Sequence, residues 1–223
     1  MVLRVAHRGA SGYVLENTLE SFEKAIELKS DMIELDAHLT KDKEVVIMHD
    51  KALNRTTDGK GLIKNLTLKQ IREFHEKNNE QIPILQDVIN ILKKKCSCII
   101  ELKESKAANK VAKIIKENNF EKRAIILSPD VKILKKIKES FPEIRTWLLV
   151  IKKEPINVIL NKTKDAQSEG VSAPYKYVTK EIVGLAHKNK LKVNVWTVNN
   201  KKSIETMKKL NVDSITSDYP DRI

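Results

Sequence analysis

Aromatic residues are scarce in this chain, 4% of 223 residues, and glycine and proline number six each. Without Gly/Pro-rich linkers or low-complexity tracts to divide it, the chain reads as a single domain over residues 1–223. Cysteine occurs only as Cys96 and Cys98, which excludes a disulfide framework. Two positions apart on a strand the pair faces one way, and a bridge would need strained geometry, so both are expected as buried, reduced thiols. Apolar runs stay strand-sized: candidates such as 147–151 fall far short of the roughly 18 residues that cross a bilayer. Arg4, His7 and Arg8 interrupt the N-terminus and leave no signal-peptide core. Neither stable membrane insertion nor export is expected, and a cytoplasmic location is the default. No G-x-G-x-x-G follows any apolar run, which weakens a nucleotide-binding reading.

Charge, by contrast, is abundant. Charged residues make up 32% of the chain and the formal net charge is +12, mostly from lysine. Such an excess suits a nucleic-acid or anionic-membrane surface. Here, however, the lysines spread along nearly every helical segment, with few aromatics between them. That is the pattern of a solvated Lys/Glu-rich surface, so no nucleic-acid partner is expected. The charge can still attract anionic phosphodiesters. Hydrophobic residues at 41% mark a globular chain, long enough for one compact barrel, a fold that starts at about 200 residues.

Strand-like apolar runs alternate with helical segments. Strands are predicted over 3–8, 31–39, 98–103, 124–128, 145–150, 170–173, 192–198 and 213–217, with a further run over 44–49. Only Thr40-Lys41-Asp42-Lys43 separates that run from the second strand, which permits an antiparallel return and forbids a parallel crossover. Helices are predicted over 17–29, 85–95, 107–118, 131–141, 156–169, 179–189 and 201–210, the first N-capped by Asn17 or Thr18. Setting the return strand aside, eight strands alternate with helices, as a (β/α)8 barrel requires. No eighth helix is expected after the last strand, and an open doubly wound sheet also accommodates the alternation.

In a barrel the C-terminal strand ends face the active site. Those ends carry His7 and Arg8, Glu34 and Asp36, Glu101 and Lys103, and Trp196, and the return strand adds His49 and Asp50. Strand period puts Glu34 and Asp36 on one face, with Ile33, Leu35 and Ala37 on the other. Carboxylates sharing a buried face repel and need a cation or a proton. Together with Glu101 they make an oxygen-rich site suited to Mg²⁺ or Ca²⁺, or to Mn²⁺, rather than zinc. His7 and His49 are the candidate general acid and base, and Arg8 and Lys103 the candidate phosphate contacts. Trp196 is the candidate wall of the substrate pocket. Gly9 and Gly12 let the backbone turn after the first strand. His38 is assigned to the face opposite Asp36, His75 and His187 to helices, and Asp218 and Pro220 to a closing turn.

These motifs resemble the glycerophosphodiester phosphodiesterase family nearly end to end. The resemblance is carried by H-R-G at 7–9, E-N-T at 16–18, E-L-D at 34–36, H-D at 49–50, R-T-T-D-G at 55–59, I-P-I-L-Q-D at 82–87, E-L-K at 101–103 and W-T-V-N at 196–199. It implies a barrel of the phospholipase-C-like phosphodiesterase type, with residues 51–81 as a short insertion after the second strand. It further implies Glu34, Asp36 and Glu101 as ligands of one divalent cation, His7 and His49 as the catalytic pair, and Arg8 and Lys103 at the phosphate. Lys43 and Asn211 stand where the family commonly has glycine.

The expected reaction is hydrolysis of a glycerophosphodiester to sn-glycerol 3-phosphate and an alcohol, by attack of either the glycerol 2-hydroxyl or water. The alternatives are a lysophospholipase D acting on lipid-like diesters and a non-catalytic protein binding anionic ligands or nucleic acid. The oligomeric state is left open.

Overall fold

The computed structural model describes residues 2–93 and 95–223. The elements run β1 (Leu3–His7), α1 (Leu19–Glu27), β2 (Met32–Leu39), β3 (Val45–Ile47), α2 (Leu68–Ile71), α3 (Leu85–Leu92) and β4 (Ser97–Leu102). They continue α4 (Ala108–Glu117), β5 (Ala124–Ser128), α5 (Val131–Ser140), β6 (Arg145–Leu149), α6 (Ile156–Ala166), β7 (Gly170–Pro174), α7 (Lys180–Lys188), β8 (Lys192–Trp196), α8 (Lys201–Lys209) and β9 (Ser214–Ser217). Lys94, within the helix expected over 85–95, lies outside the described residues.

Eight strands pair in parallel in the order β1-β9-β8-β7-β6-β5-β4-β2, and a β1–β2 pairing closes the ring. Closure rules out the open sheet and leaves no strand edge on that ring. β3 returns antiparallel along β2, as the short turn before it requires. After β9 the described residues form one 3-10 turn, Pro220–Arg222, and no α-helix packs behind that strand.

Two apolar layers result from the period-two pattern. Val5, Met32, Ile99, Ile125, Leu127, Trp147 and Leu149 fill the barrel, while Ile33, Leu35 and Ala37 face outward to the helices. Each helix buries one stripe: α4 packs Val111, Ala112 and Ile115 inward and leaves Lys113 and Lys116 in solvent. An isoleucine buried in this way contributes about 1.5–3 kcal/mol. Thr18, not Asn17, caps α1, accepting from Ser21 N while Ser21 Oγ accepts from Thr18 N.

Between β3 and α3 the chain forms bridges Ala52↔Leu62, Thr57↔Glu76 and His75↔Gln81 around the short helix α2. Met48, Leu53, Ile63, Ile71 and Ile82 join Val46 in a separate small cluster that anchors this segment. His75 therefore lies on a bridge rather than in a helix. The family's glycine positions also have a visible cause: Lys43 has φ 68° and Asn211 φ 64°, both left-handed.

Candidate active site

Strand register sets the level at which the chemistry-bearing side chains meet. His7 pairs with Glu34 across β1–β2, and Asp36 with Glu101 across β2–β4. One ligand oxygen from each of Glu34, Asp36 and Glu101 lies within 4.8 Å of the others. Lys103 Nζ sits among them, 2.8 Å from Asp36 Oδ1 and 2.6 Å from Glu101 Oε1. Arg8 Nε approaches Asp36 Oδ2 at 3.3 Å, an ion pair without hydrogen-bond alignment, so that buried N–H has no acceptor. The Arg8 backbone, left-handed at φ 55°, donates its N–H to Glu34 Oε2 at 3.1 Å. For a residue other than glycine this conformation costs about 1 kcal/mol or more, held by the contacts around it.

The electrostatics follow from the charge count. Three carboxylates meet two basic side chains, Arg8 and Lys103, which leaves one negative charge in excess. Burial pushes Asp36 up, but Lys103 and Arg8 outweigh it and hold Asp36 below the usual carboxylate range. Glu34 goes the other way. Burial, and then the charges of Asp36 and Glu101, raise its carboxyl well above the ordinary value. A hard divalent cation fits this set: it would offset the repulsion on Glu34, and the acceptor-less Arg8 N–H beside it would meet an anionic oxygen.

Both histidines have a carboxylate behind them. His7 Nδ1 donates to Asp218 Oδ1 at 2.6 Å, and His49 Nδ1 to Asp50 Oδ1 at 2.7 Å. A carboxylate can only accept, so each ring carries its hydrogen on Nδ1 and keeps Nε2 free for proton transfer. His7, Arg8, Glu34, His49, Glu101, Lys103 and Trp196 line one pocket of about 190 Å³ at the C-terminal strand ends. A wider depression, about 970 Å³, opens at the opposite mouth between residues such as Arg4, Arg145 and Asp213 and contains none of these groups. The chemistry-bearing side chains gather at the smaller one, at the end where barrel enzymes place their active sites.

Residues 7–222 match the model of the Glycerophosphoryl diester phosphodiesterase family. The chain belongs to this family. The Glycerophosphodiester phosphodiesterase of Caldanaerobacter subterraneus subsp. tengcongensis is 36% identical over 99% of this chain and 96% of its own. An Oleispira antarctica phosphodiesterase, solved in complex with the product sn-glycerol-3-phosphate, superposes with a TM-score of 0.91 at 25% identity, covering 99% of this chain and 94% of its own. The glycerophosphodiester phosphodiesterase of Thermotoga maritima gives 0.86 at 27% identity, covering 99% and 96%. As a member of the glycerophosphoryl diester phosphodiesterase family the chain is a phosphoric diester hydrolase, and the eight-stranded parallel barrel is the family's fold.

Around this phosphodiesterase pocket the structure adds residues that sequence reasoning missed. Asp218, expected only in a turn, holds His7, and Asn199 Nδ2 donates to its other oxygen at 2.6 Å. Burial raises Asp218, but the bond from His7 and its charge, with Asn199, bring it below the ordinary range. Asn17, expected as a possible cap, is left-handed at φ 58° and donates Nδ2 to Asp36 Oδ2 at 2.8 Å. Glu16 accepts from Arg8 Nη1 at 2.9 Å and from Arg55 Nη2 at 2.7 Å, while Arg55 Nε donates to Asp50 Oδ2 at 2.8 Å. A chain of ion pairs thus runs from Arg8 to His49.

His38 requires a correction. Strand period puts it on the same face as Asp36, and its Nε2 donates to the His49 carbonyl at 3.1 Å. Burial lowers its pKa, so it meets the His49 backbone as a neutral ring. His187 is at the surface as expected, its Nε2 2.8 Å from Asp213 Oδ2. Cys96 and Cys98 are buried, free thiols, with Cys96 pushed up to about 11 by burial.

Proposed function

We propose that the protein hydrolyses glycerophosphodiesters to sn-glycerol 3-phosphate and an alcohol, with His7 and His49 as its acid–base pair. The observation that carries this reading is the pair of carboxylate-held imidazoles lining one pocket with Glu34 and Glu101. Each ring presents an Nε2 that takes a proton when neutral and gives one when charged, and the aspartate behind it stabilises the charged form. One histidine removes the proton from the attacking hydroxyl, of glycerol or of water, and the other returns a proton to the departing alkoxide. Arg8 and Lys103 bind the phosphate, Arg8 through the N–H that lacks a protein acceptor. Trp196 closes one wall of the pocket and excludes water from the bond being cleaved.

Glu34, Asp36 and Glu101 would hold one divalent cation, Mg²⁺ or Ca²⁺ with Mn²⁺ as a further fit, which when bound supplies positive charge to a phosphoryl oxygen. The residues behind the pair act by position: Asp218 and Asp50 set the tautomers, and Glu16 with Arg55 holds Arg8 and Asp50 in place.

Small water-soluble diesters suit the pocket better than lipid-like ones. Among the described residues the large exposed hydrophobics are Leu3, Tyr13, Ile151 and Val158, and residues 51–81 contribute none of them to an apolar lip. No helix of the described residues is long and apolar enough to cross a membrane. The same reading takes residues 1–223 as one barrel domain with 51–81 inserted, and a cytoplasmic location that fractionation tests.

The decisive experiment strips the protein with EDTA and assays glycerol 3-phosphate release from glycerophosphoglycerol, glycerophosphocholine and lysophosphatidylcholine with Mg²⁺, Ca²⁺ or Mn²⁺ restored. Ion-dependent release from the first two supports the reading. Choline release from the lipid alone favours the lysophospholipase D alternative, and no hydrolysis under any condition ends the case for catalysis.

A further inference from the structure

The pocket has one wall whose character is set by donors, and this bears on which alcohol the enzyme releases, given the phosphodiesterase reading above. Ser172, Asn194 and Thr216 form its floor, with Asn194 and Thr216 buried to 2% exposure. Asn194 Nδ2 donates to Ser172 Oγ at 2.8 Å, while Ser214 Oγ and Thr216 Oγ1 both donate to Asn194 Oδ1, at 2.8 and 3.1 Å. The carbonyl of Asn194 is therefore fully used, and the Ser172 hydroxyl keeps its hydrogen for a ligand. Trp196 Nε1 is a second such donor, buried without an acceptor among the described residues. Leu127, Leu149 and Ile151 complete the wall.

No carboxylate lines this pocket among the described residues except Glu34 and Glu101, both committed to the acid cluster. A primary ammonium carries three donors and no acceptor, so against this wall it meets only the remaining lone pairs of the Ser172 and Thr216 hydroxyls and finds no free carboxylate. A quaternary ammonium meets one aromatic face here, Trp196, where an aromatic cage would supply several. A polyol hydroxyl both accepts and donates, and answers Ser172 and Trp196 directly.

A second cavity of about 180 Å³ adjoins the first and shares Lys103 with it. Its lining adds the cationic Lys51 and Lys64, with the neutral ring of His38, against a single carboxylate, Glu104. Neither Lys51 nor Lys64 is ion-paired among the described residues, and both are exposed. Its field therefore attracts an additional negative charge next to the reacting phosphate.

We propose that the site selects substrates by head-group charge, taking diesters of neutral polyols and of phosphorylated polyols ahead of diesters of amino alcohols. The positive flank and this wall act together: one repels a cationic head group, the other gives its nitrogen no counter-ion.

The test compares kcat/KM, at one saturating divalent ion, for glycerophosphoglycerol, glycerophosphoinositol and glycerophosphoinositol 4-phosphate against glycerophosphocholine and glycerophosphoethanolamine. The polyol diesters are expected to lead by roughly tenfold or more, the loss that follows when buried groups go unpaired. In the Lys51→Glu/Lys64→Glu double variant, the ratio of phosphorylated to neutral polyol should fall roughly tenfold. Ile151→Glu supplies the missing carboxylate and should raise the amino-alcohol diesters relative to glycerophosphoglycerol. Each comparison is a ratio within one protein sample, so a loss of folded protein cancels. Turnover without preference, or preference for the amino alcohols, overturns the selection while leaving the hydrolase reading intact. No turnover of any diester refutes both.

Discussion

His7 and Asp218 are 211 residues apart in the chain and meet at 2.6 Å, Nδ1 to Oδ1, where the first and last strands of the barrel pair. Ser11 and Asn199 also donate to Asp218, so the carboxylate is held on three sides. The imidazole has one tautomer available to it as a result.

Asp218→Asn keeps the shape and removes the acceptor charge. By analogy with other carboxylate–imidazole pairs, kcat should drop by roughly 10²–10⁴ with little change in KM. The split between KM and kcat separates this from a packing defect, because a displaced pocket weakens substrate binding as well. A native kcat in the folded variant would show that Asp218 serves only the turn.

His7→Ala and His49→Ala should each lower kcat by about 10²–10⁴, the usual range for a general acid or base. Their effects should be far from additive, since each ring is useless without its counterpart. Two single variants with near-native turnover would sink the two-histidine mechanism.

Glu34 is destabilising where it stands, because burial and its two neighbouring acids raise its pKa. Glu34→Gln should therefore raise the melting temperature of EDTA-treated protein at neutral to alkaline pH, while abolishing the stabilisation that Mg²⁺ or Ca²⁺ confers. Calorimetry with and without the ion reads both effects. A lower melting temperature in the metal-free variant contradicts the charge count.

Glu76 gives a pH dependence away from the reacting groups. It is 3% exposed in the segment between β3 and α3, and burial raises it from an ordinary 4.5 to about 7. The folded state then binds the proton more tightly than the unfolded chain. Its contribution is complete below pH 4.5 and is lost as pH rises through about 7. Over that window the effect is about 3 kcal/mol. Glu76→Gln should flatten the decline in urea titrations, and an unchanged slope between these pH values would count against it.

Lys43, left-handed at φ 68°, holds a tight turn between β2 and β3. Lys43→Gly relieves the backbone strain and should stabilise the fold by about 0.5–1 kcal/mol after the added freedom of the unfolded chain is subtracted. Asn211→Gly should gain less, because asparagine tolerates this region. Chemical denaturation of the two variants settles the order.

Much of this molecule was legible in residue order. Alternation along Ile33-Glu34-Leu35-Asp36-Ala37 separates a core face from an acidic one, because side chains on a strand change sides at every step. The short Thr40–Lys43 turn dictated an antiparallel return. His38, two residues beyond Asp36, shares the acidic face by that same period, which places it against the His49 carbonyl.

By itself, then, the residue order determined the strand–helix alternation, the placing of acids and imidazoles at strand ends, and the antiparallel return of β3. These are local properties, set by side-chain period, turn length and backbone preference over a few residues. The tertiary structure alone decided that the sheet closes, that Asp218 and Asp50 stand behind the two histidines, and that Glu16 and Arg55 tie Arg8 to His49. Those depend on which strands become neighbours and on how far each is offset along its partner. Closure brings the two ends of the chain together, and no local pattern in Asp218-Tyr219-Pro220 records that His7 will be there.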